Sequence, residues 1–272
     1  MGHDMSDMVK MFNYPYLVEL LSPKRSIEDQ AVEPQLDRFA DRYRRIIDAD
    51  LGLSIPDNPM GQPRVGALES IGLKNLPLDP DKVVMNLNTF HTKNELDDIL
   101  KMAVRAKLKY ILVIRGDGGP LLSRLDPKSI GGAKSVATSI DLIRYINVKF
   151  PGQFITGAAY NPYKPLSFEL KHMEKKIEAG AMFAVTQPII GRDQSVDELK
   201  SLNIPIIVEA WMSKKIDLLF KSVGKEKDEM SGDYDPIENL KALHEIYPEC
   251  CVYLSMLNFK QDWNQILPQC IK

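Results

Sequence analysis

Apolar residues in this chain fall into short unbroken runs, separated by longer stretches in which they recur every three or four positions. The runs Tyr16–Leu21, Arg45–Ile55, Lys82–Asn88, Lys109–Arg115, Gln153–Tyr160, Ala181–Gln187, Ile204–Ala210 and Cys251–Leu257 predict eight strands. A continuous run such as Ile111–Ile114 predicts a strand buried on both faces, as in a parallel sheet wrapped by helices. The clearest helical stretches are "KNELDDILKMAVRAKL", "SIGGAKSVATSIDLIRYINVKF", "LSFELKHMEKKIEAG" and "DPIENLKALHEIY". Thr92 stands where the first of these needs an N-cap, and Gly180 where the third needs a C-cap. Strand and helix alternate without a long Pro/Ser/Gly linker. Eight such units in 272 residues predict an α/β fold, a (β/α)8 TIM barrel built as a single domain over residues 1–272. An open doubly wound sheet is the alternative.

A barrel of this kind carries its chemistry at the C-terminal ends of its strands. Those ends bring Glu19, Asp57, Asn58, Asn86, Asn88, Arg115, Asp117, Tyr160, Gln187, Glu209 and Asn258. The set is polar, mostly uncharged, and contains a few carboxylates, which suits a heterocycle with many hydrogen-bonding edges. No metal site is expected, because there is no HExxH and His91, His172 and His244 are scattered. The formal net charge of −2 supplies no attraction to nucleic acid or an anionic membrane. No apolar stretch reaches the roughly 20 residues of a membrane span. The opening "MGHDMSDMVK" lacks an apolar signal core. Three cysteines, Cys250, Cys251 and Cys270, make neither a disulfide framework nor a zinc site. A cytoplasmic location is the expectation.

Several motifs carry candidate chemistry. In "LVELLSP" Glu19 sits among Val18, Leu20 and Leu21, where loss of water raises a carboxyl pKa and suits a proton donor; a Glu paired with a nearby cation is the plain alternative. "YILVIRGDGGP" runs from an apolar strand into Arg115, Gly116 and Asp117 on a glycine-dense turn that other atoms can approach closely. It is not the GxGxxG fingerprint. "GAAYNPYKP" offers small residues and then Tyr160 and Tyr163, with flat faces and hydroxyls. Lys171, Lys175 and Lys176 on the following helix offer charge to a phosphate, or are simply solvated. Gln187, ending "FAVTQ", carries both a donor and an acceptor fit to read a pterin-like edge. "GKEKDEMSGDYD", residues 224–235, lacks the Walker ending and predicts a solvated loop.

In this order, "VELLSP", "VIRGDGG", "GAAYNPYKP" and "KIEAGAMFAVTQ" resemble the methylenetetrahydrofolate reductase family from the first strand to about Gln187. The resemblance implies a flavin-dependent reduction of 5,10-methylenetetrahydrofolate to 5-methyltetrahydrofolate, with FAD, or FMN, as cofactor. It implies that Glu19 protonates the pterin nitrogen, that Asp117 lies beside flavin and pterin, and that Gln187 hydrogen-bonds the folate ring. It places Asn86, Arg115, Gly116, Asp117, Tyr160, Lys164, Lys175 and Lys176 at flavin positions. Asn86 and Lys164 stand where many members have histidine, and both keep a donor.

The resemblance thins after Gln187. "VEAWMSKK" replaces the family's P-G-I-x-P, with Glu209 where a small residue is expected, "LNFK" replaces L-N-R, and the stretch between Trp211 and Asp235 is short. Flavin and folate binding are therefore better founded than direct use of NADH. The electron donor is NAD(P)H or a partner protein, and a homo-oligomer or a subunit of a complex is expected. Two other readings follow: a flavin-free pterin-binding methyltransferase-type barrel, or a subunit that passes a one-carbon group or electrons to a partner.

Overall fold

The computed structural model describes residues 12–25, 32–224, 234–260 and 263–266. Eight parallel strands follow in chain order around a closed barrel: β1 (Tyr16–Glu19), β2 (Gly52–Ile55), β3 (Val83–Leu87), β4 (Tyr110–Val113), β5 (Ile155–Tyr160), β6 (Ala181–Pro188), β7 (Ile206–Trp211) and β8 (Cys251–Ser255). Between them lie α1 (Glu33–Asp48), α2 (Ala67–Leu73), α3 (Lys93–Arg105), α4 (Ser139–Lys149), α5 (Leu166–Glu178), α6 (Gln194–Leu199), α7 (Ile216–Ser222) and α8 (Pro236–Ile246). The predicted (β/α)8 architecture is the one observed. Among the described residues no helix is long and apolar enough to cross a membrane. Residues 225–233, most of the predicted solvated loop, fall outside the described residues, as do residues 1–11 and Cys270.

The chain divides into two compact units. One comprises Leu20–Ala158 and Glu174–Met182 and carries β2, β3, β4 and the start of β5. Its strands pair in parallel, with Leu53 opposite Val83, Val84 opposite Tyr110 and Ile111 opposite Thr156. Every residue of β3 and β4 is buried, as their unbroken apolar runs require of a sheet covered on both faces. Helix α3 begins as its sequence predicts. The Thr92 hydroxyl accepts from Glu95 N at 3.3 Å, and the Glu95 carboxylate accepts from Thr92 N at 2.7 Å, a reciprocal cap. Gly180 ends α5 at φ +112°, and a Cβ there would lie 2.5 Å from Asn147 Nδ2. That amide already donates to Ile143 O and Thr156 Oγ1, so only glycine leaves it room.

The other unit comprises Met1–Glu19, Ala159–Met173 and Phe183–Lys272. In it Val185 pairs with Ile207, Val208 with Val252, and Leu17 with Tyr253. The β6–β7 register slips: Val185 faces Ile207, yet Pro188 faces Glu209. One extra residue of β6, at Thr186–Gln187, is thus absorbed as a bulge, a device that re-aims side chains near functional sites.

Two sequence expectations are corrected. Arg45–Asp48 close helix α1 rather than open a strand. Leu36, Phe39, Ala40, Tyr43 and Ile46 are its buried residues, a 3.6-residue period that runs into the apolar pair Ile46–Ile47. The chain then turns through Asp50 at φ +58° before β2. The stretch from Ser129 to Phe150 is likewise not one helix. A short 3-10 turn, Pro127–Ile130, ends at Gly131 (φ +79°), and α4 starts afresh at Ser139 behind the Thr138 cap.

Candidate active site

In the unit holding β2 to β4, the glycine-dense turn after β4 is built against its neighbours. A Cβ on Gly116 would lie 2.9 Å from the Asn88 side chain, and one on Gly118 would lie 2.7 Å from the Phe90 ring. A Cβ on Gly119 would sit 2.4 Å from Gly61 O, and one on Gly61 only 1.7 Å from Gly118 O. The atoms admitted by these glycines therefore belong to the loops after β2 and β3. Asp117 reinforces the contact by accepting from Met60 N at 2.8 Å. The β2 loop reaches that position through left-handed backbone at Asn58 (φ +46°), Met60 (φ +57°) and Gly61 (φ +67°), a strained arrangement for the first two.

Above this packing, Arg115, Gly116, Asp117, Thr89, Phe90 and Arg124 line a groove of about 390 Å³. Arg115 and Asp117 are exposed there, so three of the expected flavin positions are brought together. Asn86 lines a second cleft of about 420 Å³ with Asp57, Asn58, Arg64 and His91, and its Oδ1 accepts from Ser54 Oγ at 3.0 Å. Asn88 is occupied structurally. Its N and Nδ2 donate to the Asp57 carboxylate and carbonyl at 2.9 and 2.7 Å, and its Oδ1 accepts from Phe90 N at 2.7 Å. Lys175 is exposed on α5, whereas Lys176 is buried.

The sequence reading passed over the pair His91 Nε2 and Asp57 Oδ2, 2.7 Å apart and both nearly buried. No local pattern announces it, since the partners lie 34 positions apart. Burial alone lowers the imidazole pKa, but the Asp57 hydrogen bond and charge outweigh it, and the net shift is upward from 6.5. A raised folded-state pKa means that the pair's stabilisation is full below about pH 6.5 and lost as pH rises through the higher folded value. His91→Gln is therefore expected to destabilise by about 1–2 kcal/mol at about pH 5.5, with the gap narrowing toward about pH 8.5. Urea unfolding of both proteins at the two pH values measures this, and an equal gap at both would refute it.

In the unit holding β6, β7, β8 and β1, Glu19 ends β1 half-buried. Its carboxylate accepts from Met256 N at 3.2 Å and from the Tyr253 hydroxyl at 3.4 Å. Gln187 sits half-buried in the β6 bulge. Lys164 is exposed. Tyr160 does not present the open face expected of it: the side chain is fully buried and its hydroxyl meets Ser195 Oγ at 2.5 Å. Tyr163 hydrogen-bonds Pro188 O, and burial, then the charges of Asp193 and Glu209, push its phenol up to about 12. Glu209 on β7 is raised well above the ordinary carboxyl value, by burial first and by Glu19 as a like charge, against the opposing hydrogen bond of Ser255. Among the described residues no group of three or more His, Cys, Asp or Glu could hold a metal ion.

Comparison with known proteins bears on this arrangement. The family model "Methylenetetrahydrofolate reductase" matches residues 82–207, which span β3 through the start of β7. Methylenetetrahydrofolate reductase 1 of Schizosaccharomyces pombe is 30% identical over 145 residues, covering 47% of this chain and 23% of that protein. The chain thus matches about a quarter of the length of that relative. Among solved structures, a 2,3-dimethylmalate lyase aligns with a TM-score of 0.48 at 10% identity, over 93% of this chain and 80% of the other. A 7,8-dihydropteroate synthase from Vibrio fischeri aligns with a TM-score of 0.45 at 10% identity, over 89% and 86%. Both likenesses are too distant to bear on the chemistry. The matched stretch includes the Arg-Gly-Asp turn and the Ala-Gly-Ala to Thr-Gln segment: over residues 82–207 the chain is similar to the methylenetetrahydrofolate reductase family.

Proposed function

We propose that this protein is a flavin-dependent reductase acting on a methylene-bridged reduced pterin, 5,10-methylenetetrahydrofolate, to give the 5-methyl product. The observation that carries the reading is the groove in which Arg115, Gly116 and Asp117, within the family-matched segment, stand together. Its donor set fits an FAD or FMN. Two guanidinium groups, Arg115 and Arg124, match its anionic part.

A flavin held by these residues would supply hydride for the exocyclic methylene carbon. The remaining chemistry belongs to the chain. Asp117 sets a negative charge against the flavin, which opposes accumulation of the reduced, anionic form. Asn86, Lys164 and Lys175 each carry a donor at a position that the resemblance assigns to flavin. The buried Tyr160 and Lys176 shape the protein beneath such positions rather than present open groups. Gln187 reads the pterin edge with its amide. Glu19 holds the proton that goes to the pterin nitrogen as the methylene bridge opens. The donor of electrons is NAD(P)H or a partner protein.

The visible spectrum of the purified protein, followed by redox titration of Asp117→Asn, tests the reading. Flavin bands are expected. Asn at 117 keeps an acceptor for Met60 N, so the loop stays in place while the charge is lost, and the midpoint potential rises. A colourless protein that still binds tetrahydrofolate would replace this reading with the flavin-free methyltransferase-type one. An unchanged potential would put Asp117 outside the flavin site.

A further inference from the structure

Gln187 owes its place to the register slip between β6 and β7. Val185 stands opposite Ile207, so a regular ladder would set Gln187 opposite Glu209. Pro188 stands there instead, and it brings no N–H to the ladder. A one-residue shift re-aims a strand side chain. The residue is half-buried, yet its carboxamide makes no hydrogen bond to the described residues. Its donor and its acceptor are both open to water or a ligand.

A bulge gives up ladder bonds, so its shape has to be held from outside. Neighbours on three sides hold this one. On the β7 side, Glu209 N donates to Thr186 Oγ1 and Ile189 N donates to Glu209 O, both at 3.0 Å. From α8, the buried Asn239 brackets the turn that follows. Its Nδ2 donates to Ile189 O at 3.1 Å, and its Oδ1 accepts from Gly191 N at 2.9 Å. From the loop after β5, the Tyr163 hydroxyl donates to Pro188 O, the carbonyl of the residue directly after Gln187. Tyr163 is itself fixed in that loop. Its N donates to Asn161 Oδ1 at 2.9 Å, and Asn161 N donates to Glu169 Oε1 at 3.2 Å. Burial, ahead of the charges of Asp193 and Glu209, raises its phenol to about 12, so at neutral pH the hydroxyl keeps the proton it donates.

We propose that Tyr163 is a positioning residue for Gln187: its hydroxyl, with Thr186, clamps the β6 bulge so that the carboxamide meets the pterin edge already oriented. The inference rests on the reading of Gln187 as the group that hydrogen-bonds the folate ring. Tyr163 acts on Pro188 and not on the ligand. Holding one long side chain in its bound orientation is worth about 2–10-fold in affinity.

Tyr163→Phe keeps the ring and removes only the donor. Tetrahydrofolate, titrated calorimetrically without oxygen, is expected to bind this variant about 3–10-fold more weakly. In a Gln187→Ala background the same replacement is expected to change affinity by less than about twofold, because the group it positions is gone. Equal losses in both backgrounds overturn the proposal, as does wild-type affinity in Tyr163→Phe itself. A second readout needs no ligand. The ¹⁵N side-chain amide signal of Gln187, assigned by its loss in Gln187→Ala, is expected to shift in Tyr163→Phe while circular dichroism stays the same. An unmoved signal overturns the proposal. Thr186→Val, which removes the acceptor of Glu209 N across the bulge, stands in if Tyr163→Phe does not fold, and it is read in the same two ways. If the wild type binds no tetrahydrofolate, the proposed function fails alone, because the amide signal still decides whether the clamp orients Gln187.

Discussion

Replacement of Glu19 by Gln lowers folate reduction by about 10²–10⁴-fold, the usual worth of a general acid, while flavin binding and flavin reduction by the electron donor persist. The amide fills the same space at the end of β1. Its oxygen still accepts from Met256 N, which donates to Glu19 at 3.2 Å in the wild type, so the side chain keeps its place. What disappears is the transferable proton. Anaerobic half-reactions separate the two steps: bleaching of the oxidised flavin band reports reduction by the donor, and its return on mixing with methylenetetrahydrofolate reports hydride and proton transfer. Wild-type reoxidation in the variant would exclude Glu19 as the acid.

Gly61→Ala destabilises the protein by about 2–4 kcal/mol, which lowers Tm by roughly 4–16 °C. Two costs act together. The residue sits at φ +67°, and its new Cβ would be 1.7 Å from Gly118 O, a backbone atom that can retreat only if the whole turn after β4 moves. Gly131→Ala isolates the first cost, for Gly131 has φ +79° with nothing within 4 Å of the added atom, and about 1 kcal/mol is expected. Thermal melts of both variants measure the difference. Equal shifts would mean that the Gly61–Gly118 contact gives way without penalty.

The architecture was legible because a parallel barrel writes itself locally. Buried strands such as β3 and β4 read as unbroken apolar runs, and the Thr92–Glu95 cap and Gly180 mark helix ends by residue type alone. The last turn of helix α1 reads as strand because its period of Leu36, Phe39, Tyr43 and Ile46 merges into apolar residues that look like the start of β2. The candidate site was legible one residue at a time. Glu19 betrays itself as a carboxylate in an apolar run, and Arg115–Asp117 as charge at a strand end. What was hidden is every relation between distant positions. The glycines after β4 serve Phe90 and Gly61 as neighbours, and no sequence spacing announces that. His91 with Asp57 is likewise a pairing made by the fold. The β6 bulge depends on register against β7, which a single strand does not carry.

The bonds of Asp57 have a mechanical consequence. One carboxylate oxygen takes both Asn88 N and His91 Nε2, and the same β2 loop is held against the β4 turn by Gly61 and by Asp117 on Met60 N. The loops after β2, β3 and β4 are therefore coupled like plates riveted at shared points, and no one of them swings open without shearing bonds to the other two. In this part of the molecule a ligand meets a wall already set to shape, and selectivity comes from the fit of that wall rather than from a gate that closes over the guest.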